Sequence, residues 1–247
     1  MNPMPLTVAI TSPRTRYSRL GGLPLFIWLW LIAILLLSAC AHQDHRHRHQ
    51  PPNVTEYLDR LDRPERDADQ KPAEVIQALG LKPGMAVADL GSGSGYFTRR
   101  FMTAVAPGGT VYAIDVEPKA LNYIREHLPR EQGDHATIRY VHADTDDPGL
   151  PAASVDLLFL CNTYHHIEDR TRYFARAAQA IRTGGRLAII DFYEDHRSGD
   201  LGFPKDHLVS QQLVLDELTR AGYRFIRAHT FLPRQYFLEF IPPSVPR

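Results

Sequence analysis

The stretch Asp89-Leu90-Gly91-Ser92-Gly93-Ser94-Gly95 constrains this chain more than any other. It follows a short apolar run, 85–90, and leads into a pattern with helical spacing, 96–105. A strand, a glycine loop and a helix in that order form the ligand-binding corner of a parallel α/β sheet. Glycines let the backbone turn tightly and approach a ligand closely. Their spacing is GxGxG, and Tyr96 stands where the last glycine of a nicotinamide fingerprint would fall. Asp89 is a second mark against a dinucleotide, because a carboxylate there repels a pyrophosphate and suits a cationic amino group. Asp115 lies 20 residues beyond Gly95, at the end of the next apolar run, where an acid can take ribose hydroxyls.

Around this corner, apolar runs of strand length alternate with helical patterns, so the spacing predicts a doubly wound, mostly parallel sheet with helices on both faces. Strands are expected over 85–90, 110–115, 136–142, 155–160, 186–192, 223–229 and 235–240. Helices are expected from about 68 or 72 to 79, then over 96–105, 118–128, 169–182 and 208–221, the last two strands closing the sheet as an antiparallel, hairpin-like end. Pro118 suits the first turn of its helix, and the helix ending at 182 is expected to stop before Gly184-Gly185. One α/β domain, 57–247, accounts for all of this.

The first 39 residues belong to something else. Arg14, Arg16 and Arg19 precede an uncharged apolar run, 21–39, about the length that crosses a bilayer. Such a segment is a signal peptide or signal anchor, not a core helix. It ends Leu37-Ser38-Ala39-Cys40, which resembles a bacterial lipobox and implies lipidation of Cys40. Either reading places the domain on the far side of the cytoplasmic membrane, since the arginines stay inside. Ala41 in place of an aspartate favours the outer membrane by the same resemblance. Residues 40–56 then read as a polar, His-rich tether. His42, His45, His47 and His49 are expected to be a solvated spacer, not a metal site.

The leader holds three of the 28 basic residues and none of the 28 acidic ones, so the remainder is slightly acidic and offers no basic surplus for nucleic acid. With Cys40 set aside Cys161 is the remaining cysteine, so no intrachain disulfide is expected and Cys161 is expected to pack in the core.

From 71 to 240 the chain resembles the class I S-adenosylmethionine-dependent methyltransferases, on Asp89, the GxGxG loop and Asp115. The resemblance implies a bound S-adenosylmethionine. Asp89 would meet its amino group, Gly91, Ser92, Gly93 and Gly95 would line it, Asp115 would bind the ribose, and Val116 would also touch the cofactor. Asp144, after the third strand, would meet the adenine amine, and Asn162 ends a strand that matches the family's fourth motif. Within the class, the likeness is to enzymes with small-molecule methyl acceptors, including those of quinone biosynthesis. The segment 63–72 resembles one that precedes the glycine loop in some bacterial members, where it could fold over the cofactor.

Methyl transfer to a hydroxyl or a neutral amine also needs a base. Tyr164, His165 and His166 lie just past the fourth strand, at the edge where ligands bind in such sheets, and His165 or His166 is the candidate. A module of the same fold that binds the cofactor without catalysis is the rival reading, because the cofactor is made in the cytosol and this domain reads as exported.

Overall fold

The computed structural model describes residues 53–128 and 136–244. The expected leader, Cys40 and most of the tether lie outside the described residues.

Seven strands form one sheet: β1 Ala86–Leu90, β2 Thr110–Asp115, β3 Thr137–His142, β4 Val155–Cys161, β5 Ile181–Phe192, β6 Arg224–His229 and β7 Gln235–Ile241. Their order is β3-β2-β1-β4-β5-β7-β6. The first five are parallel, while β7 runs antiparallel to both β5 and β6. The mostly parallel, seven-stranded sheet expected from the sequence is therefore present, with the hairpin at its end. Central strands read as continuous apolar runs because both faces are covered: every residue of β1 is buried.

Among the described residues the helices are α1 Val54–Leu61, α2 Arg66–Gln70, α3 Pro72–Leu79, α4 Tyr96–Ala104, α5 Pro118–His127, α6 Arg170–Ala177 and α7 Gln211–Arg220. On one face Val75 and Leu79 of α3 and Phe97 and Phe101 of α4 pack against Val87, Val111, Leu157 and Phe159. On the other, Phe174 of α6 and Val214 and Leu218 of α7 cover Ala88, Leu158, Leu160 and Ile189. The chain reverses its strand order between β1 and β4, which opens a crevice at the carboxyl edge of the sheet, the place where ligands bind in this architecture.

Two expectations are corrected. The helix expected over 169–182 ends at Ala177; a single 3₁₀ turn, Ala178–Ala180, follows, and Ile181 already belongs to β5. Ile181 is buried and pairs with Val155, so its contact with the sheet outweighs helix continuation. The Gly184-Gly185 pair lies inside β5, as a bulge. A Cβ on Gly185 would stand 2.8 Å from the carbonyl oxygen of Asp156, so only glycine lets β4 and β5 approach there. The second correction is at the tether, whose expected end at 56 overlaps α1. Asn53 caps that helix, its side chain accepting from the Glu56 amide at 3.2 Å. Leu58 is the residue α1 buries, against Ala120 and Tyr123.

Candidate active site

β1 delivers the glycine loop to the crevice. Gly91 and Ser92 both donate their amides to the carbonyl of Ile114, at 2.8 and 3.0 Å, which ties the loop to the end of β2. The loop's three glycines have φ of 73°, 53° and 78°, backbone that L-residues avoid. Gly91 is also closely approached: a Cβ there would stand 2.9 Å from Cβ of Thr163 and closer still to its hydroxyl.

Asp89 is buried, and the Thr98 hydroxyl donates to it at 2.6 Å. Burial pushes its carboxyl up to about 6, against the pull of the Thr98 bond and of Arg66 nearby. Asp115 accepts the Gly93 amide on one oxygen and the Glu117 amide on the other, both at 2.9 Å. Each oxygen keeps a second lone pair for a ligand. Burial also raises this carboxyl, and the two amides oppose it. Val116, the next residue, is 53% exposed, the highest value among the large exposed apolar side chains described. Asp144 stands exposed at the same edge, in a tight turn with Asp147 and next to Ala143, whose amide donates to the Asp115 carbonyl at 3.0 Å.

At β4 the chain turns on Asn162, which has φ of 56°. Its amide donates to the Ile190 carbonyl at 2.8 Å, and its side-chain oxygen accepts from Gln235. A 3₁₀ turn, Tyr164–His166, comes next. Tyr164 points into the core, its hydroxyl donating to Glu217 at 2.7 Å, and Glu217 is clamped in turn by Arg170. His165 faces the crevice. Its Nδ1 lies 2.7 and 2.9 Å from the two oxygens of Asp191, which also accepts the His165 amide at 3.1 Å and the Phe192 amide at 2.8 Å. A carboxylate only accepts, so Nδ1 carries the proton and Nε2 is left with a free lone pair in the neutral ring. His166 packs its ring 4.1 Å from that of His165 but does not line the cavity.

That cavity has a volume of about 240 Å³. Tyr57, Leu61, Phe192 and Phe203 form its apolar wall, and Arg66, Asn162 and His165 its polar edge. Asp191 and the wall from α1 escaped the sequence reading, whereas Arg66 belongs to the segment 63–72 that it singled out. Asp191 had a signal: like Asp89 and Asp115, it is an acid at the carboxyl end of a strand in the parallel sheet.

A family model described as a methyltransferase domain matches residues 88–189. The chain is 26% identical to a S-adenosylmethionine-dependent methyltransferase of Aquifex aeolicus, whose crystal structure superposes with a TM-score of 0.68 over 77% of this chain and 98% of that one. Over residues 88–189 the chain matches a methyltransferase domain. A ubiquinone/menaquinone biosynthesis C-methyltransferase (UbiE) of Vibrio vulnificus is 28% identical to the domain over 118 residues, 48% of this chain and 45% of that protein, so the chain spans less than half the length of the curated relatives it matches. Human N-acetylserotonin methyltransferase, solved with S-adenosylmethionine, shares the fold of the methyltransferase domain at 21% identity, with a TM-score of 0.59 over 78% of this chain and 57% of that one.

S-adenosylmethionine is the cofactor named for the Aquifex protein, and the residues at the carboxyl edge of this sheet fit it. The hydroxyls of Ser92 and Ser94 are buried in the loop without a hydrogen-bond partner among the described residues, although buried polar groups ordinarily have one. The glycine amides, the spare lone pairs of Asp115 and the wetted face of Val116 lie on the same edge. An adenosine has a matching set of hydroxyls and one flat apolar face.

Proposed function

We propose that the protein moves the methyl group of S-adenosylmethionine to a small, largely apolar acceptor, with His165 as the base and Asp191 holding it. The observation that carries this reading is the His165–Asp191 pair at the mouth of an aromatic cavity beside the glycine loop. When bound, the cofactor supplies a methyl group on a sulfonium sulfur. Asp89 meets its amino group, Asp115 its ribose hydroxyls, Val116 and Asp144 its adenine, and Gly91 to Gly95 with Asn162 form the floor. Nε2 of His165 takes the proton that an acceptor hydroxyl or amine must lose. Phe192, Phe203 and Tyr57 exclude water and orient a flat apolar molecule against the donor. The cavity is smaller than the ~300 Å³ at which ligand pockets usually begin, which favours a small acceptor group over a macromolecular surface. A histidine fixed by one carboxylate at the cavity mouth favours this reading over a module that only binds the cofactor.

Calorimetry on the full-length chain in detergent tests the cofactor step. S-adenosylhomocysteine should bind and NAD should not, and Asp115→Ala should weaken the first by at least about tenfold, since each charge-assisted hydrogen bond is worth roughly 1.5–3 kcal/mol. Tight NAD binding, or an Asp115→Ala affinity within about twofold of the wild type, would refute the assignment.

The pH dependence of the same affinity has a defined sign. In the empty site burial raises Asp89 to about 6, and the ammonium group of the ligand favours the ionised carboxylate. Below that value binding has to expel a proton, so affinity should fall as pH drops through about 6 and level off above it. Asp89→Asn should remove the dependence. A flat profile in the wild type would mean that Asp89 does not face the amino group.

We further propose that the domain is exported and held to a membrane through lipidated Cys40. The support is the arginine-led apolar run and the sequence Leu37-Ser38-Ala39-Cys40. More than one acyl chain holds a protein stably where one does so only marginally. The processed protein should therefore resist salt extraction from membranes, and Cys40→Ser should accumulate a longer form. Protection of the domain from protease added to spheroplasts would overturn the proposed orientation.

A further inference from the structure

Four side chains from separate parts of the sequence meet at the cavity: Gln70 at the end of α2, Cys161 and Asn162 at the end of β4, and Gln235 at the start of β7. Gln70 and Gln235 are buried, at 2% and 0% exposure. An ion pair pins the same corner, since Arg234 meets Asp69 at 2.9 Å and so joins the residue before Gln235 to the residue before Gln70. The Cys161 thiol donates to Oε1 of Gln70 at 2.9 Å. Burial pushes that thiol up to about 12, so it keeps its proton and remains a donor. Nε2 of Gln235 donates to Oδ1 of Asn162.

Each of these bonds engages an amide oxygen. A side-chain amide is planar, with its oxygen and its NH₂ on opposite branches, so committing the oxygen also fixes where the NH₂ points. Among the described residues no acceptor meets Nε2 of Gln70 or Nδ2 of Asn162, and both residues line the cavity. The orientation of Asn162 is held against a penalty. Oε1 of Gln235 is buried with no donor among the described residues, and an unmet buried acceptor is destabilising. His165, which brings the lone pair of Nε2 to the same cavity, stands three residues beyond Asn162. The cavity therefore offers two oriented neutral donors and one proton acceptor.

We propose that the NH₂ groups of Gln70 and Asn162 hold a carbonyl oxygen of the methyl acceptor, which makes the two residues specificity-determining. The proposal deepens the methyl-transfer reading above and rests on it: the acceptor is a flat molecule with a carbonyl as well as the group that gives its proton to His165. A carbonyl oxygen has two lone pairs, one for each donor. As the proton leaves for His165, negative charge spreads onto a conjugated oxygen, and donors already aimed at it become more effective. A molecule with CH₂ in place of the carbonyl would leave both NH₂ groups unmet, which is how a polar site rejects an isostere.

Matched probes test this by calorimetry on the full-length chain in detergent, loaded with S-adenosylhomocysteine. The probes are the ortho, meta and para hydroxyacetophenones and the corresponding ethylphenols, which differ from them only in having CH₂ for C=O. For at least one ring position the wild type should prefer the ketone by at least about tenfold, the scale of two hydrogen bonds. Gln70→Met and Asn162→Asp each remove one NH₂ at nearly constant volume, and aspartate tolerates the left-handed backbone at Asn162. Each should cut the preference by about fivefold, with affinity for the ethylphenol little changed as the control for an intact cavity. Either variant serves alone should the other fail to fold. A preference that survives undiminished in a folded variant overturns the proposal, as does a wild type that binds ketone and ethylphenol equally at every ring position. A wild type that binds none of the probes overturns the acceptor reading itself, a different result from a lost ratio.

Discussion

His165→Gln should slow methyl transfer by roughly 10²–10⁴-fold, the usual contribution of a positioned base, with the affinity for S-adenosylhomocysteine unchanged. The expectation follows from where the ring stands. Its Nδ1 is committed to Asp191, the two side chains are 4% and 1% exposed, and two backbone amides hold the same carboxylate. The free nitrogen is therefore fixed in direction and in tautomer. Asp191→Asn provides a sharper version of the same test, because an amide can turn its NH₂ toward Nδ1. The imidazole then carries its proton on Nε2, at the cavity, and a base becomes a donor without any change of shape. Tritiated cofactor incubated with a small-molecule extract gives the rate through labelled product. Comparable rates in wild type, His165→Gln and Asp191→Asn would rule out the base assignment, whereas equal loss in the two variants with intact ligand binding would support it.

Gly91→Ala carries the largest expected structural effect. Two costs add there. Placing a side chain at φ of 73° costs about 1–2 kcal/mol. The new methyl group also collides with the Thr163 side chain, and overpacking of that kind costs about 1–3 kcal/mol more. At roughly 2–4 °C per kcal/mol for a domain of this size, the melting temperature should fall by something on the order of 5–15 °C. The loop is also the cofactor floor in the reading above, so S-adenosylhomocysteine binding should be lost as well. Thr163→Gly removes the collision but not the backbone cost, so the double variant should recover the larger share of the stability. Calorimetric melting of the single and double variants separates the two contributions. An unaffected melting temperature in Gly91→Ala would show that the loop yields freely.

The sheet was legible because its signals are local. Residues 86–90 and 155–160 are apolar apart from one aspartate each, Asp89 and Asp156, as strands covered on both faces largely must be. The glycine loop and Asp115 were legible for a similar reason, since tight turns and close approach leave few choices of residue. What stayed hidden depends on distant pairings. α1 has one fully buried side chain, Leu58, and otherwise reads as polar spacer, so nothing in its own sequence separates it from the tether before it. The start of β5 was lost to a helical pattern because Ile181 answers to Val155, 26 residues earlier. His165 could be nominated from its place beyond β4. Asp191, which sets its tautomer, is 26 residues away, and nothing local in the sequence links the two. Tyr164, which looked equally well placed, turned inward because Glu217 on α7 offers its hydroxyl a buried acceptor.

The two ends of the sheet bear on how the protein behaves at high concentration. β3 and β6 are the edge strands, each with a row of backbone groups that meets no further strand among the described residues. Such a row invites another copy to add itself, and chains of copies can grow that way. Both rows carry guanidinium groups: Arg139 on β3, Arg224 and Arg227 on β6. A second molecule arriving edge to edge would set like charges opposite one another, which opposes the pairing. Between Arg224 and Arg227 lies Phe225, 41% exposed, so the charges at this edge guard an apolar ring that would otherwise be a point of attachment. Polymerisation through the sheet is thus resisted at both ends, even where many copies share one surface.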